Sequence, residues 1–384
     1  MGKTIVILGG GAGGLVVANK LRRQTSREQR VILVDRNEYH LFSPSLLWLI
    51  FGLRRPEEIQ RSFKSLSRKG IDFMCGEVSE ISTQKKTITV DGKLIEYDYL
   101  IISLGAELKM HLYPKTESAI NFYCLEGARL ASEAIKRLRG GRVSILIAGL
   151  PFKCPAAPYE LAFLLDSFFK GKRENVEIEV WTPETLPMSA AGPAIGNAIK
   201  EMLRVRNIRF NPEHNVKTIS EEKLVFENGI TSRYDLLLIV PPHTAPEVVR
   251  KANLTDESGW IPVERESLRT KFENVYAIGD ITSIKLPGQY KPDKPLNLPK
   301  AGVFAHYQAE VLAHNISAEI KGQKSDRKFS GNGYCFLELG NGSSGFANGN
   351  FYTLPAPRVK MYKSLKAWHL AKVLFEKWWL WRWF

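Results

Sequence analysis

The chain has 384 residues, enough for two domains of ordinary size. Its 54 lysines and arginines against 40 acidic residues give a formal net charge of +14 and a pI of about 9.5, a balance that suits nucleic acid, an anionic membrane or an anionic substrate. Four cysteines are too few for a disulfide framework, there is no C-x-x-C of the zinc-site kind, and the seven histidines show no ligand spacing, so no metal site is expected.

In chain order, Thr4 to Leu8 is a short apolar, β-branched run of the buried-strand type. It leads into Gly9, Gly11 and Gly14 spaced as G-x-G-x-x-G, and a helical pattern follows from Leu15 to Leu21. A second strand, Arg30 to Val34, ends in Asp35. Glycines at that spacing permit a tight turn and let backbone N–H groups approach a pyrophosphate, the helix N-terminus adds partial positive charge, and Asp35 can accept hydrogen bonds from an adenosine ribose. Cys75, in a strand-like segment, reads as a buried small hydrophobe. Tyr99 to Gly105 is a strand ending in a small-residue turn.

Val143 to Gly149 opens a second nucleotide-type domain, but Leu150, Pro151 and Phe152 stand where a phosphate-cradling loop would be. Proline has no N–H to offer, and the later glycines are absent, so this domain is expected to be poorly built for NAD(P)H. Glu184, after the strand over 179–182, is a weak candidate for a ribose-binding acid. Cys154, flanked by prolines, precedes a helical run from Tyr159 to Phe169, and a helix N-terminus there is expected to lower its thiol pKa. Asn274 to Asp280 is a strand ending in Gly279-Asp280, the four-proline stretch 285–299 is a surface excursion, and 300–310 has helical periodicity.

The segments at 4–14, 99–105 and 274–280 together resemble the FAD domain of the two-dinucleotide-binding-domain, disulfide reductase-like flavoproteins. The phrases Cys-Pro-Ala-Ala-Pro-Tyr-Glu at 154–160, Tyr-Cys-Phe at 334–336 and Leu-Pro-Lys-Ala-Gly at 298–302 are similar to those of the sulfide:quinone oxidoreductases and the flavocytochrome c sulfide dehydrogenase flavoproteins, over about residues 3–350. The resemblance implies an α/β fold of two Rossmann-like domains: a discontinuous FAD domain (1–118 and 262–335), a second domain degenerate for NAD(P)H (119–261), and a C-terminal amphipathic, membrane-anchoring region (336–384).

It further implies that Gly105, Gly279 and Asp280 bind FAD, with Asp280 on the ribityl chain. The helix starting at Lys300, Ala301 and Gly302 then points at the flavin pyrimidine, where its dipole and the Lys300 ammonium favour a reduced anionic flavin. Cys154 and Cys335 become a redox pair, joined as a disulfide or through extra sulfur atoms. Hydrosulfide opens the bridge, leaving a persulfide on one cysteine and a thiolate, assigned to Cys335, on the other. Glu160 is the candidate proton carrier, with a helix-capping or solvated glutamate as the equal alternative. Cys124 matches a third cysteine that in some members holds FAD covalently. Quinone is the electron acceptor. Three alternatives stay open: a type-II NADH:quinone oxidoreductase-like enzyme, a sulfide dehydrogenase flavoprotein with a cytochrome partner, and a non-enzymatic flavin-bound redox sensor.

The end of the chain carries Arg358, Lys360, Lys363, Lys366, Lys372, Lys377 and Arg382 against the single acid Glu376, and five of the eight tryptophans lie from Trp368 onward. Lysines interrupt it too often for a spanning helix, and the pattern predicts an amphipathic helix in the bilayer interface, with a domain-packing helix built on a tryptophan core as the alternative. Met1-Gly2-Lys3 runs straight into the first strand, so no secretory signal and a cytoplasmic membrane face are expected. No nucleic-acid partner is expected, and a homo-oligomer is left open.

Overall fold

The computed structural model describes residues 2–109, 119–172 and 174–384; Met1 and His111 lie outside them. Thr4–Leu8 is the middle of a five-stranded parallel sheet, flanked by Tyr99–Ile102 and Val275–Ala277 on one side and by Arg30–Asp35 and Asp72–Cys75 on the other. Ile5, Val6, Ile7 and Leu8 are covered on both faces, which is why the strand reads as a continuous apolar run rather than an alternating one. A second parallel sheet runs Ala119–Asn121, Leu236–Val240, Gly140–Ile147, Asn175–Trp181, Arg209–Asn211. Two parallel nucleotide-type sheets match the expected fold class.

The expected divisions after residues 261 and 335 fall inside structural units. Ala245, Val249, Leu254, Trp260 and Ile261 pack with Val6, Leu8 and Ile102, so the chain has returned to the first sheet before residue 261. The antiparallel C-terminal sheet begins at Asn332, with strands Asn332–Gly340, Ser343–Asn350 and Arg358–Leu365, so Cys335 lies within its first strand.

The tail is a helix, Lys366–Arg382, and it is docked. Trp379, Leu380 and Trp383 are at most 4% exposed and join the core around Leu15, Phe42, Phe63 and Ile278. Lys372 and Glu376 are buried as well. The inner face follows the packing alternative, while the outer face, with Leu370, Leu374, Trp378 and Trp381, remains apolar and exposed, as an interfacial helix requires. Burying three aromatic or aliphatic side chains, at about 1.5–3 kcal/mol each, outweighs leaving that face in water. Among the described residues, no helix is long and apolar enough to cross a membrane.

Candidate active site

The glycine loop is shaped as its spacing predicts. Gly9 has φ +95°, and a Cβ there would stand 2.4 Å from the Ser103 carbonyl oxygen. A Cβ on Gly14 would lie 1.9 Å from the Gly9 oxygen, so only glycine lets the helix Ala12–Gln24 start this close to the strand. Gly11 caps that helix without a side-chain bond, leaving its first N–H groups for a ligand. Asp35 ties the loop first: its carboxylate accepts from the Gly10 N–H at 2.7 Å and from Asn37 at 2.8 and 3.0 Å. Oδ1 takes both Asn37 bonds, so Oδ2, which accepts only from Gly10, retains a lone pair for a ribose hydroxyl.

A second helix N-terminus meets the first. Gly302, the first residue of the helix Gly302–Ile320, is capped by Ala301 without a side-chain bond, and a Cβ on Gly302 would be 3.6 Å from that of Ala12. Gly105 (φ +68°) closes the turn after Tyr99–Ile102, and a Cβ there would meet nothing within 4 Å. Gly279 donates its N–H to Gln308 at 2.7 Å. Beside it, Asp280 is held in protein with Oδ1 lacking any partner. Burial pushes its carboxyl up, against the pull of Lys300 and Lys153. A buried acceptor without a donor, set between two bare helix N-termini, fits a ligand that brings hydroxyls and a pyrophosphate, as FAD does.

The Lys300 ammonium is already engaged. It donates to the carbonyl oxygens of Asp280 (2.6 Å) and Thr282 (3.1 Å) and sits 3.4 Å from the Trp260 ring centre. Burial lowers its pKa to about 8, with Asp280 opposing. Its side chain therefore clamps the turn that carries Asp280. Its carbonyl accepts the Cys154 N–H at 2.7 Å. That bond explains the Leu150–Pro155 phrase: the loop that would cradle a phosphate instead carries Cys154, in a left-handed conformation (φ +52°), onto the first domain.

Cys154 and Cys335 are free thiols, each partly exposed, and are brought within electrostatic reach of one another. The expected depression of the Cys154 pKa is corrected. Burial, reinforced by Glu160, pushes it up to about 12, against Lys372 and the Ala157 N–H. The helix begins only at Ala157, and its dipole does not offset desolvation. The Cys335 thiol is raised too, by burial, Glu160 and Cys154.

Glu160 is 4% exposed. Its Oε1 accepts from the Glu338 N–H and from the Lys372 ammonium, both at 2.8 Å. Lys372 also lies 3.7 Å from Glu338, and Glu338 accepts from Ser344 at 2.7 Å and contacts His369 Nδ1 at 3.1 Å. Burial works to lower the Lys372 pKa, but the Glu160 and Glu338 carboxylates outweigh it and raise it. Lys372, Glu338 and His369 went unrecognised in the sequence, where Lys372 reads as one more basic residue of the tail.

The other sequence candidates fall as follows. Cys124 caps the helix Leu125–Arg137, accepting from the Gly127 N–H at 3.4 Å, while its neighbour Tyr123 donates to the Cys154 carbonyl at 3.2 Å. Cys75 is exposed, not buried, because it ends the edge strand of its sheet. Glu184 is buried against the Tyr159 hydroxyl at 2.6 Å and turned into the protein, its pKa raised to about 7 by burial. Between the C-terminal sheet and the tail helix runs an aromatic groove of about 450 Å³, lined by Tyr334, Phe336, Phe346, Trp368, Phe375 and Trp378. Tyr334 precedes Cys335, so the groove reaches the cysteine strand.

Residues 3–308 match the model of a family described as pyridine nucleotide-disulphide oxidoreductase. A mitochondrial sulfide:quinone oxidoreductase of Mus musculus is 29% identical over 88% of this chain and 75% of its own length. The sulfide-quinone reductase of Aquifex aeolicus is 27% identical over all of this chain and 91% of its own. The X-ray structure of the sulfide:quinone oxidoreductase from Aquifex aeolicus superposes with a TM-score of 0.89 at 26% identity, over 99% of this chain and 91% of that one.

Proposed function

The chain belongs to the pyridine nucleotide-disulphide oxidoreductase family, and from that premise we propose that it oxidises sulfide and passes the electrons through FAD to a quinone. The observation that carries this reading is the juxtaposition of Cys154 and Cys335 around a buried Glu160–Lys372 pair, on a loop bonded to the Lys300–Gly302 end of the flavin-side helix.

Hydrosulfide attacks one sulfur of the oxidised Cys154–Cys335 bridge; the S–S bond breaks, leaving a persulfide on one cysteine and a thiolate on the other. Burial makes that thiolate costly, and Lys372 is the cation beside it. A second hydrosulfide takes the outer sulfur away as hydrodisulfide and leaves that cysteine a thiol; the bridge then re-forms by loss of two electrons and of one proton, which Glu160 takes. FAD, when bound, supplies the two-electron acceptor. The aromatic groove beside Tyr334 is the quinone's way in, and the exposed Leu370, Leu374, Trp378 and Trp381 face sits at the membrane interface, on the cytoplasmic side. Cys124 is assigned either a covalent link to FAD or a sulfur-transfer role. Flavin that stays with acid-precipitated protein marks the first; a colourless pellet with an impaired Cys124→Ser variant marks the second.

Anaerobic titration tests the whole reading. Sulfide is expected to bleach the flavin absorbance and quinone to restore it. A spectrum that NADH bleaches and sulfide leaves unchanged would place the protein with the NADH:quinone reductases instead.

A further inference from the structure

We infer that docking of the C-terminal helix and retention of FAD are one linked equilibrium, transmitted through His40 and Trp379 as positioning residues. The inference rests on the FAD reading above.

His40 is buried, 5% exposed. Its Nδ1 is 2.9 Å from the Gly10 carbonyl oxygen, and Trp379 Nε1–H donates to its Nε2 at 3.2 Å. Because Nε2 accepts, the proton of the neutral ring is on Nδ1 and is donated to Gly10. The Gly10 peptide is thereby fixed on both sides, its carbonyl by His40 and its N–H by Asp35. It is the middle of the G-x-G turn that is to approach the pyrophosphate.

Three further routes run from the tail to the same cradle. Phe384 packs on Phe63 (ring centres 6.1 Å), and the Phe63 ring stands only 2.3 Å from where a Cβ on Gly10 would be. Asn19, on the helix that begins at the loop, donates to the Trp383 carbonyl at 3.1 Å. His306, on the helix whose N-terminus faces the first, meets the Trp379 and Trp383 rings at 5.4 and 5.9 Å. The last six residues thus brace the loop and both helix N-termini that would hold the cofactor. By thermodynamic reciprocity, whatever strengthens tail docking strengthens FAD binding, and FAD strengthens docking by the same factor.

The test uses holoenzyme carrying Cys124→Ser, so that flavin can leave whether or not that thiol binds it. Release of FAD is followed by the rise of free-flavin fluorescence. Trp379→Phe keeps the ring and removes the N–H, and His40→Phe removes both bonds. Trp379→Phe is expected to speed release about tenfold, the worth of one well-placed buried hydrogen bond, and His40→Phe by at least that factor. Trp381→Ser, on the exposed face, is the control and is expected to leave release unchanged. Should either variant fold poorly, the parent protein carries a second reading: stripping FAD is expected to speed tryptic cleavage after Lys377 by a similar factor. Unchanged release in both ring variants, or equal cleavage with and without FAD, overturns the linkage. A parent protein that binds no FAD at all overturns the functional reading instead.

Discussion

Lys372 shows how much of the chemistry hangs on one side chain. It is the cation between Glu160 and Glu338 and within reach of both thiols. Lys372→Gln leaves the buried Glu160 without its cation, at about 3–5 kcal/mol of stability. It also removes the charge that opposes the rise of the thiol pKa. Sulfide-dependent flavin reduction is then expected to slow at least tenfold at neutral pH, with the alkaline limb of its pH profile moved to higher pH; stopped-flow reduction across pH checks both. Cys154→Ser and Cys335→Ser are expected to abolish that reduction with flavin still bound, and near-normal turnover in either sinks the mechanism. The cysteines stand out in the sequence because each sits in a distinctive phrase. Lys372 was not, since its partner Glu160 is 212 positions away and a lysine among six other basic residues reads as solvated charge.

His40 adds a stability consequence at the same scale. Burial lowers its pKa from 6.5 to about 4, against the Gly10 carbonyl and Asp35, so the folded state resists a proton that the unfolded chain accepts. Between those values stability rises with pH, and the native state loses about 3 kcal/mol on going from above 6.5 to below 4. His243, lowered by burial to about 3, adds a second contribution in the same direction. The melting temperature is expected to fall through this acid window, and His40→Gln to flatten the slope by about one proton's worth. An identical slope in the variant would show that the ring titrates normally.

At the scale of the element, the tail helix carries two unlike faces, and its variants separate them. Trp379→Ala empties a core position and is expected to cost about 3–5 kcal/mol in denaturant unfolding. Leu374→Ser with Trp381→Ser touches only exposed side chains and should leave stability within about 0.5 kcal/mol, while lowering co-sedimentation with anionic liposomes several-fold. Sedimentation equal to the parent's would rule that face out as the membrane contact. Removing the whole segment is not a clean test, because it strips Trp379, Leu380 and Trp383 from the core. The period of the helix was visible in the sequence. Which of its tryptophans turn inward was not, because that is set by the hole between Phe42, Phe63 and Ile278, three residues from distant parts of the chain.

For the molecule as a whole, the first nucleotide fold was readable almost entirely. Strand, glycines, helix, second strand and acid lie consecutively, and each has a local physical reason. The second domain's strand was equally readable, but its replaced loop revealed only what it had lost. NADH and NADPH are expected to reduce the flavin at rates well below sulfide, since Leu150, Pro151 and Phe152 offer no cradle for a pyrophosphate; rapid bleaching by either nucleotide contradicts that.

What the loop gained is a fastening. Cys154 N–H on the Lys300 carbonyl, with the Lys153–Lys300 bridge beside it, stitches the second domain to the first at the Cys154 backbone. A hinge there would pull the Cys154 loop from its seat at every cycle. The two domains must therefore work as a fixed frame, with no clamshell closing over a bulky donor. A triatomic-sized reductant needs none, and the turnover of such a frame should depend little on solvent viscosity until release of the much larger quinol becomes the slow step.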